Sequence, residues 1–379
     1  MNRSSEPVTI KIEKLVFGGL GMGKLDGKPV FVPFVLPNET VRVIINKRKR
    51  QYLEAELVEV LEPAPERVIP PCPYFGKCGG CQWQQMNYET QLVWKEKIVR
   101  ETLERTGKVE NPKVLPTIPS PKNLGWRNRV TLHSNERGEL GFFAPNSHRV
   151  IDIEKCLIVD DSINAQIEQL RTQSKFQKRD FSLTSACENE TGPAAPSLSV
   201  SQRDPSDRDS ASPVSFSQVN TLQNLNLKNL LYELVQQIPH DTIVELFCGG
   251  GNLTEQLIPL AKKLIAIDCD KAAIESAQKR WPGVEWICSD AVRYFAQTHF
   301  ENLDLLVLDP PRDGAGGVVE GVIKSKPKNI LYISCNPATL SRDIKYLKDF
   351  TGYTLVQSQP IDMFPHSYHI ESLSWLAKP

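Results

Sequence analysis

Thr242-Ile243-Val244-Glu245-Leu246-Phe247-Cys248-Gly249-Gly250-Gly251-Asn252 is the stretch that decides the fold. A continuous strand, Thr242–Phe247, runs into a glycine corner, and a helical segment follows from Leu253. Glycines there let a ligand approach the backbone closely, and the helix start supplies free N–H groups. Outward from this corner the chain alternates. Lys263–Asp268, Glu285–Cys288, Leu303–Leu308 and Asn329–Ser334 read as further strands, with a helix over Lys271–Lys279. Strands buried on both faces and separated by helices predict an α/β fold, a Rossmann-like doubly wound parallel sheet whose ligands lie at the carboxyl ends of the strands. The chemically distinctive residues sit at those ends.

Asp268 closes the second strand, where an acid can accept from ribose hydroxyls, and Asp290 follows the third, where it can hold an adenine amino group. A glycine corner with these acids suits either hydride or methyl transfer. Asp309-Pro310-Pro311-Arg312 after the fourth strand separates the two, because a related Asn/Asp-Pro-Pro-aromatic motif holds the amine in amino methyltransferases. Arg312 stands where the aromatic would be, so amine methylation loses its stacking surface. The chemistry is then sought on the next strand, which ends in Ser334-Cys335-Asn336-Pro337.

Upstream, Val8–Val16, Pro29–Val32, Thr40–Ile45 and Tyr52–Val58 with a glycine turn at Gly18–Gly23 suggest a small OB-like β-barrel over residues 1–65. Residues 66–215 read as a mixed α+β central domain, with a helix over Tyr88–Thr106 and strands at Arg129–His133, Leu140–Phe143 and Arg149–Ile153. Within it, 182–213 is rich in Ser, Pro, Asp and Glu, and reads as a polar insertion or loop. Residues 216–379 form the α/β domain.

The 379 residues carry 45 basic and 45 acidic side chains, so any nucleic-acid partner must be met by local patches. Lys47-Arg48-Lys49-Arg50 is the one dense basic run; it suits phosphates on a barrel and equally a solvated loop. Trp126-Arg127-Asn128-Arg129 mixes stacking and charge as RNA contacts do. No apolar run approaches the roughly 20 residues of a membrane helix, and Met1–Pro7 is polar, so a cytoplasmic monomer without a membrane or an obligate protein partner is expected. Nine cysteines without a signal peptide read as metal ligands, a nucleophile or small core residues. Cys72, Cys78 and Cys81 lie in a Pro/Gly-rich segment, and with Cys156 they make a four-sulfur set compatible with zinc or an iron–sulfur cluster. Cys248, Cys269 and Cys288 read as core or strand-end fillers; Cys187 suggests nothing.

Ser334-Cys335-Asn336-Pro337 together with His369-Ile370-Glu371-Ser372 closely resembles the TRAM-domain RNA (uracil-5-)-methyltransferases. The resemblance covers nearly the whole chain except 182–213, with the barrel as TRAM domain and Ser215-Phe216-Ser217-Gln218-Val219-Asn220 as the entry to the catalytic domain. It implies Cys335 as nucleophile and Glu371 as proton acceptor. It also implies Gln218, Phe247, Asn252, Asp268, Asp290 and Asp309 as contacts of S-adenosyl-L-methionine, and a 4Fe-4S cluster on Cys72, Cys78, Cys81 and Cys156. The expected substrate is a uridine in structured RNA, ribosomal (23S) RNA first and the transfer-RNA T-loop second. RNA cytosine enzymes carry a Pro-Cys dipeptide in the fourth-strand loop, which Asp309–Arg312 lacks. A non-catalytic RNA-binding protein of the same fold is the reading from another class, and an intact Cys335 and Glu371 argue against it.

Overall fold

The computed structural model describes residues 6–172, 179–185 and 218–378, and the backbone of short strands at 188–189, 192–193 and 197–201. Strands β1 (Val8–Val16), β2 (Leu20–Leu25), β3 (Lys28–Pro33), β4 (Thr40–Arg48) and β5 (Leu53–Glu62) close into a barrel in the order β1-β2-β3-β5-β4. Alternate residues, among them Ile10, Ile12, Val30, Val32, Val41 and Val43, fill its interior. The expected glycine turn is in large part strand β2. Gly21 and Gly23 lie inside it because the barrel is too tight for side chains there: a Cβ would meet Val35 at 2.3 Å and the Lys11 carbonyl oxygen at 2.4 Å.

The next segment divides its loyalty. Helix α1 (Tyr88–Arg105) buries Ile98, Val99 and Leu103 in the core of the catalytic domain, so the expected central domain begins later than residue 66. The central sheet proper has the order β12-β9-β6-β7-β8. Its strands are β6 (Arg129–Ser134), β7 (Leu140–Phe143), β8 (Val150–Asp152), β9 (Asp180–Thr184) and β12 (Ser197–Ser201), with α2 (Asp161–Thr172) packed on it. Two-residue strands β10 (Glu188–Asn189) and β11 (Gly192–Pro193) pair with each other. The polar stretch 182–213 is therefore not a simple loop: β9 enters it with Leu183 buried, and β12 pairs along β9 from Ser197↔Thr184 to Ser201↔Asp180. An edge strand needs only backbone pairing and one apolar face, which polar composition conceals. Cys187 and Ser215-Phe216-Ser217 lie outside the described residues.

The catalytic domain is a seven-stranded sheet of order β15-β14-β13-β16-β17-β19-β18. Helix α3 (Thr221–Gln236) leads into β13 (Thr242–Leu246), α4 (Thr254–Leu257), β14 (Lys263–Asp268), α5 (Lys271–Arg280), β15 (Glu285–Cys288) and α6 (Ala291–Gln297). Then come β16 (Leu305–Leu308), α7 (Val319–Ser325), β17 (Asn329–Ser334), α8 (Pro337–Thr351), β18 (Thr354–Ile361) and β19 (Glu371–Ala377). All pairs from β15 to β17 are parallel; β19 is antiparallel to both neighbours. Val244, Leu246, Leu306, Leu308, Ile330 and Tyr332 face α1, α6, α7 and α8. Ile243, Leu305, Val307, Leu331 and Ile333 face α3 and α5. This two-sided burial is what the unbroken apolar runs encode. The edge strand β18 is covered by 113–118, through bridges Val114↔Ser358 and Ile118↔Ile361. Among the described residues no helix is long and apolar enough to cross a membrane.

Candidate active site

The glycine corner follows β13, the strand at which the order of the sheet reverses. Phe247 has φ of 66°, and the backbone turns again at Gly249 (52°) and Gly251 (89°). Asp268 ties the corner down: its Oδ2 accepts from Gly249 N at 2.9 Å and its Oδ1 from Asp270 N at 2.8 Å. At Gly251 an added Cβ would meet Trp281 at 2.6 Å and Trp286 at 3.1 Å. Asn252 exchanges both amide bonds with Asn224 of α3, at 2.8 and 3.0 Å, which locks the corner against that helix. Asp290 caps α6, accepting from Arg293 N at 2.7 Å. Gln218 stands at the entry of the domain, its carbonyl accepting from Asn128 Nδ2 at 3.0 Å.

Glu245 was not picked out from sequence. It is 1% exposed, its Oε2 has no hydrogen-bond partner, and burial pushes its carboxyl up to about 8. A buried acceptor without a partner beneath a glycine corner suits a ligand that brings a donor, such as an ammonium group.

The second half of the site is built by strand register. Strand β17 pairs with β19 from Asn329↔Ala377 to Ser334↔Ser372; Cys335 follows the last paired residue of β17, and Glu371 precedes that of β19. Asp309 ends the neighbouring strand, and Arg312 lies on the loop that follows. Burial pushes the Cys335 thiol up to about 11; Glu371 adds to the rise, Arg312 opposes it, and Asp309 adds a smaller part. Glu371 is 3% exposed. Its carboxyl is held well above the usual range by burial and then by Asp309, against Arg312. Burial pushes Asp309 to about 7. His369 is pushed down to about 4 by burial and then by Arg312. A thiol, two carboxyls, an imidazole and a guanidinium thus feel one another at the sheet edge. Sequence reasoning found Cys335, Glu371 and Asp309. It gave Arg312 no role, although that residue stood in the motif already singled out.

The four cysteines of the central region line one cavity of about 700 Å³, with Arg127, His133 and Phe143 among its other walls. Cys81 is pushed up to about 12 by burial, and the other three thiols each add to the rise. Cys156 is pushed up to about 11 by burial, with Cys78 and Cys72 adding. Among the described residues no group of three or more His, Cys, Asp or Glu is close enough to hold a metal ion. The thiols surround a space; they do not converge on a point. Of the remaining cysteines Cys248 is buried, whereas Cys269 and Cys288 are exposed at their strand ends, so neither is a core filler.

Lys47, Arg48, Lys49 and Arg50 are all exposed where β4 leaves the barrel, and Lys47 pairs with Glu54 at 2.9 Å. On the same barrel Lys14 pairs with Glu101 of α1, and Lys24 with Glu13. Trp126 does not offer the stacking surface expected of it. It is 6% exposed and packs edge-on against Phe364, while Arg127 turns toward the cysteine cavity.

Known proteins resemble this chain along nearly its whole length. Residues 5–58 match the TRAM domain model, and residues 294–379 match the model described as tRNA (Uracil-5-)-methyltransferase. An RNA methyltransferase of Aquifex aeolicus is 33% identical over 98% of this chain and 98% of its own. The 23S rRNA (uracil(1939)-C(5))-methyltransferase RlmD of Alkalilimnicola ehrlichii is 29% identical over 97% of this chain and 96% of its own. The crystal structure of Pyrococcus abyssi tRNA (uracil-54, C5)-methyltransferase, in complex with S-adenosyl-L-homocysteine, has a TM-score of 0.73 at 22% identity. It covers 97% of this chain and 99% of that one, and so shares the fold.

Proposed function

The chain belongs to the RNA (uracil-5-)-methyltransferase family, enzymes that use S-adenosyl-L-methionine, and we propose that it methylates C5 of a uridine in 23S ribosomal RNA through a covalent adduct on Cys335. The observation that carries this reading is the β17–β19 register: its last pair, Ser334↔Ser372, lies next to Cys335 on one strand and next to the buried Glu371 on the other. Uracil C5 is a poor nucleophile. Addition of the Cys335 sulfur to C6 makes C5 an enolate carbon able to attack an electrophilic methyl, so one hard step becomes two easier ones. The donor supplies that methyl as a sulfonium. Gln218, Phe247, Asn252, Asp268, Asp290 and Asp309 surround or shape its place, and Glu245 offers the acceptor for its ammonium. Glu371 then takes the C5 proton, and Cys335 leaves C6 as product forms.

Burial raises both Cys335 and Glu371, and Arg312 is the cation among the described residues that opposes the rise for each. A free thiol titrates at about 8.5, and burial pushes Cys335 above that, to about 11.

We also propose that Cys72, Cys78, Cys81 and Cys156 hold a 4Fe-4S cluster. Single zinc draws its four sulfurs to about 2.3 Å from one centre, whereas a cubane spreads them around its corners. Four thiols lining one cavity supply the number of sulfurs that such a cubane takes. Such a cluster would brace the central domain against the segment at 72–81; methyl transfer itself moves no electrons.

Ribosomal RNA is preferred because the Alkalilimnicola relative is named for it and matches over 96% of its own length. Mass spectrometry of nucleosides from purified ribosomal and transfer RNA of a deletion strain tests this. Loss of 5-methyluridine from 23S RNA is expected. Loss from transfer RNA alone would move the substrate, and unchanged 5-methyluridine in both would refute the activity.

A further inference from the structure

The helix that begins beside Cys335 reaches across to the loop that carries Arg312. Asn336 Nδ2 and Thr339 Oγ1 both donate to the Arg312 carbonyl oxygen at 3.1 Å. Arg342 Nη2 donates to the Asp313 carbonyl at 2.7 Å, and Asp343 Oδ2 accepts from Ala315 N at 2.7 Å. Asp343 is 1% exposed and is itself fixed by the Tyr332 hydroxyl at 2.7 Å and Arg342 Nε at 2.8 Å. Between these anchors Gly314 has φ of 79°, and a Cβ there would meet Asp343 Oδ2 at 2.4 Å. The first two turns of α8 therefore grip residues 312, 313 and 315 of one loop. Asn336 does double service, because its Oδ1 also caps α8 by accepting from Ala338 N at 3.0 Å.

This grip matters because the Arg312 side chain is exposed and makes no ion pair among the described residues. Its place is set by its backbone. The charged groups that bear on Cys335 are Glu371 on β19, and Asp309 and Arg312 beyond β16; His369, before β19, feels Arg312 in turn. Of these the guanidinium is the one that favours a thiolate. We propose that Asn336, Thr339, Arg342 and Asp343 are positioning residues that fix the loop bearing Arg312 beside Cys335, so that the helix that starts just after the nucleophile also sets the cation that activates it. The proposal rests on Cys335 being the nucleophile, but its geometry does not depend on which RNA is bound.

The test is alkylation of Cys335 by iodoacetamide as a function of pH, read by mass spectrometry of its own peptide in the full-length protein. Thr339→Val should move the midpoint up by about half a pH unit, roughly threefold slower alkylation at pH 8, since the reactive species is the thiolate. Thr339→Ser should restore the rate, and Asp343→Asn should act in the same direction if it folds. Arg312→Gln should slow alkylation at least as much, and adding Thr339→Val to it should change nothing more. Equal slowing by Thr339→Val with and without Arg312, or no slowing at all, would overturn the proposal. Alkylation needs neither RNA nor methyl donor, so an enzyme that fails to form an RNA adduct would refute the nucleophile without deciding this point.

Discussion

At the scale of single residues the site is a contest between burial and one cation. Cys335 and Glu371 were legible because each stood in a short motif at a strand end, where this fold places its chemistry. Arg312 and Glu245 were not, since their importance comes from neighbours that are distant in sequence. Glycines carry the opposite lesson. Gly251 looked like one of three equivalent turn residues, but it alone has two tryptophan rings against the space its side chain would need. Gly251→Ala adds a strained positive φ to that clash. Titration calorimetry should show at least a tenfold loss of S-adenosyl-L-methionine affinity, about 1.4 kcal/mol, with RNA affinity unchanged. Unchanged donor affinity would mean that the corner is shaped by its other residues.

At the scale of elements, the central helix, the early strands of the central sheet and the parallel strands of the catalytic domain were readable from periodicity. What escaped was pairing between distant segments. Strands β18 and β19 have mixed patterns, because the loop between them serves the site and one edge is covered by residues 113–118. That loop is gripped by residues far from it in sequence. Lys95 of α1 donates to Asp362 Oδ1 at 2.5 Å and to the Phe364 carbonyl at 3.1 Å, and both Lys95 and Asp362 are fully buried. Gln91 bonds His366, and the N–H groups of Gln82 and Trp83 reach the His366 carbonyl at 3.0 and 3.1 Å. Removing one member of a buried pair strands the other charge. Lys95→Met should therefore cost about 3–5 kcal/mol in denaturant unfolding, and Lys95→Met with Asp362→Leu should recover most of it. A double variant no better than the single would show that the pair is not the anchor.

At the scale of the whole molecule, three units meet around the loop before Glu371. The barrel turn at Gly18–Gly19 abuts it: Phe17 packs edge-on against Tyr368 at 5.9 Å, and Trp83 Nε1 donates to the Gly19 carbonyl at 3.4 Å. On the proposed reading, an RNA held by the barrel lies beside the loop that leads to Glu371. Composition could not show this, because a net charge of +0 hides a basic run confined to one end of one strand. The four cysteines line a cavity in the third unit, the proposed cluster site. Anaerobically purified protein should be brown and carry about four irons per chain, and Cys156→Ser should lower both iron content and thermal stability. Stoichiometric zinc, or metal-free protein of equal stability, would contradict the cluster.

The central claim is that Cys335 bonds to uracil and Glu371 frees it. With methyl-labelled donor and a stem-loop RNA substrate, Glu371→Gln can still add and transfer methyl but cannot take the C5 proton. Denaturing gels should then show a labelled protein–RNA band for Glu371→Gln and none for Cys335→Ala. A labelled adduct that persists in Cys335→Ala, or full turnover by Glu371→Gln, would contradict the account.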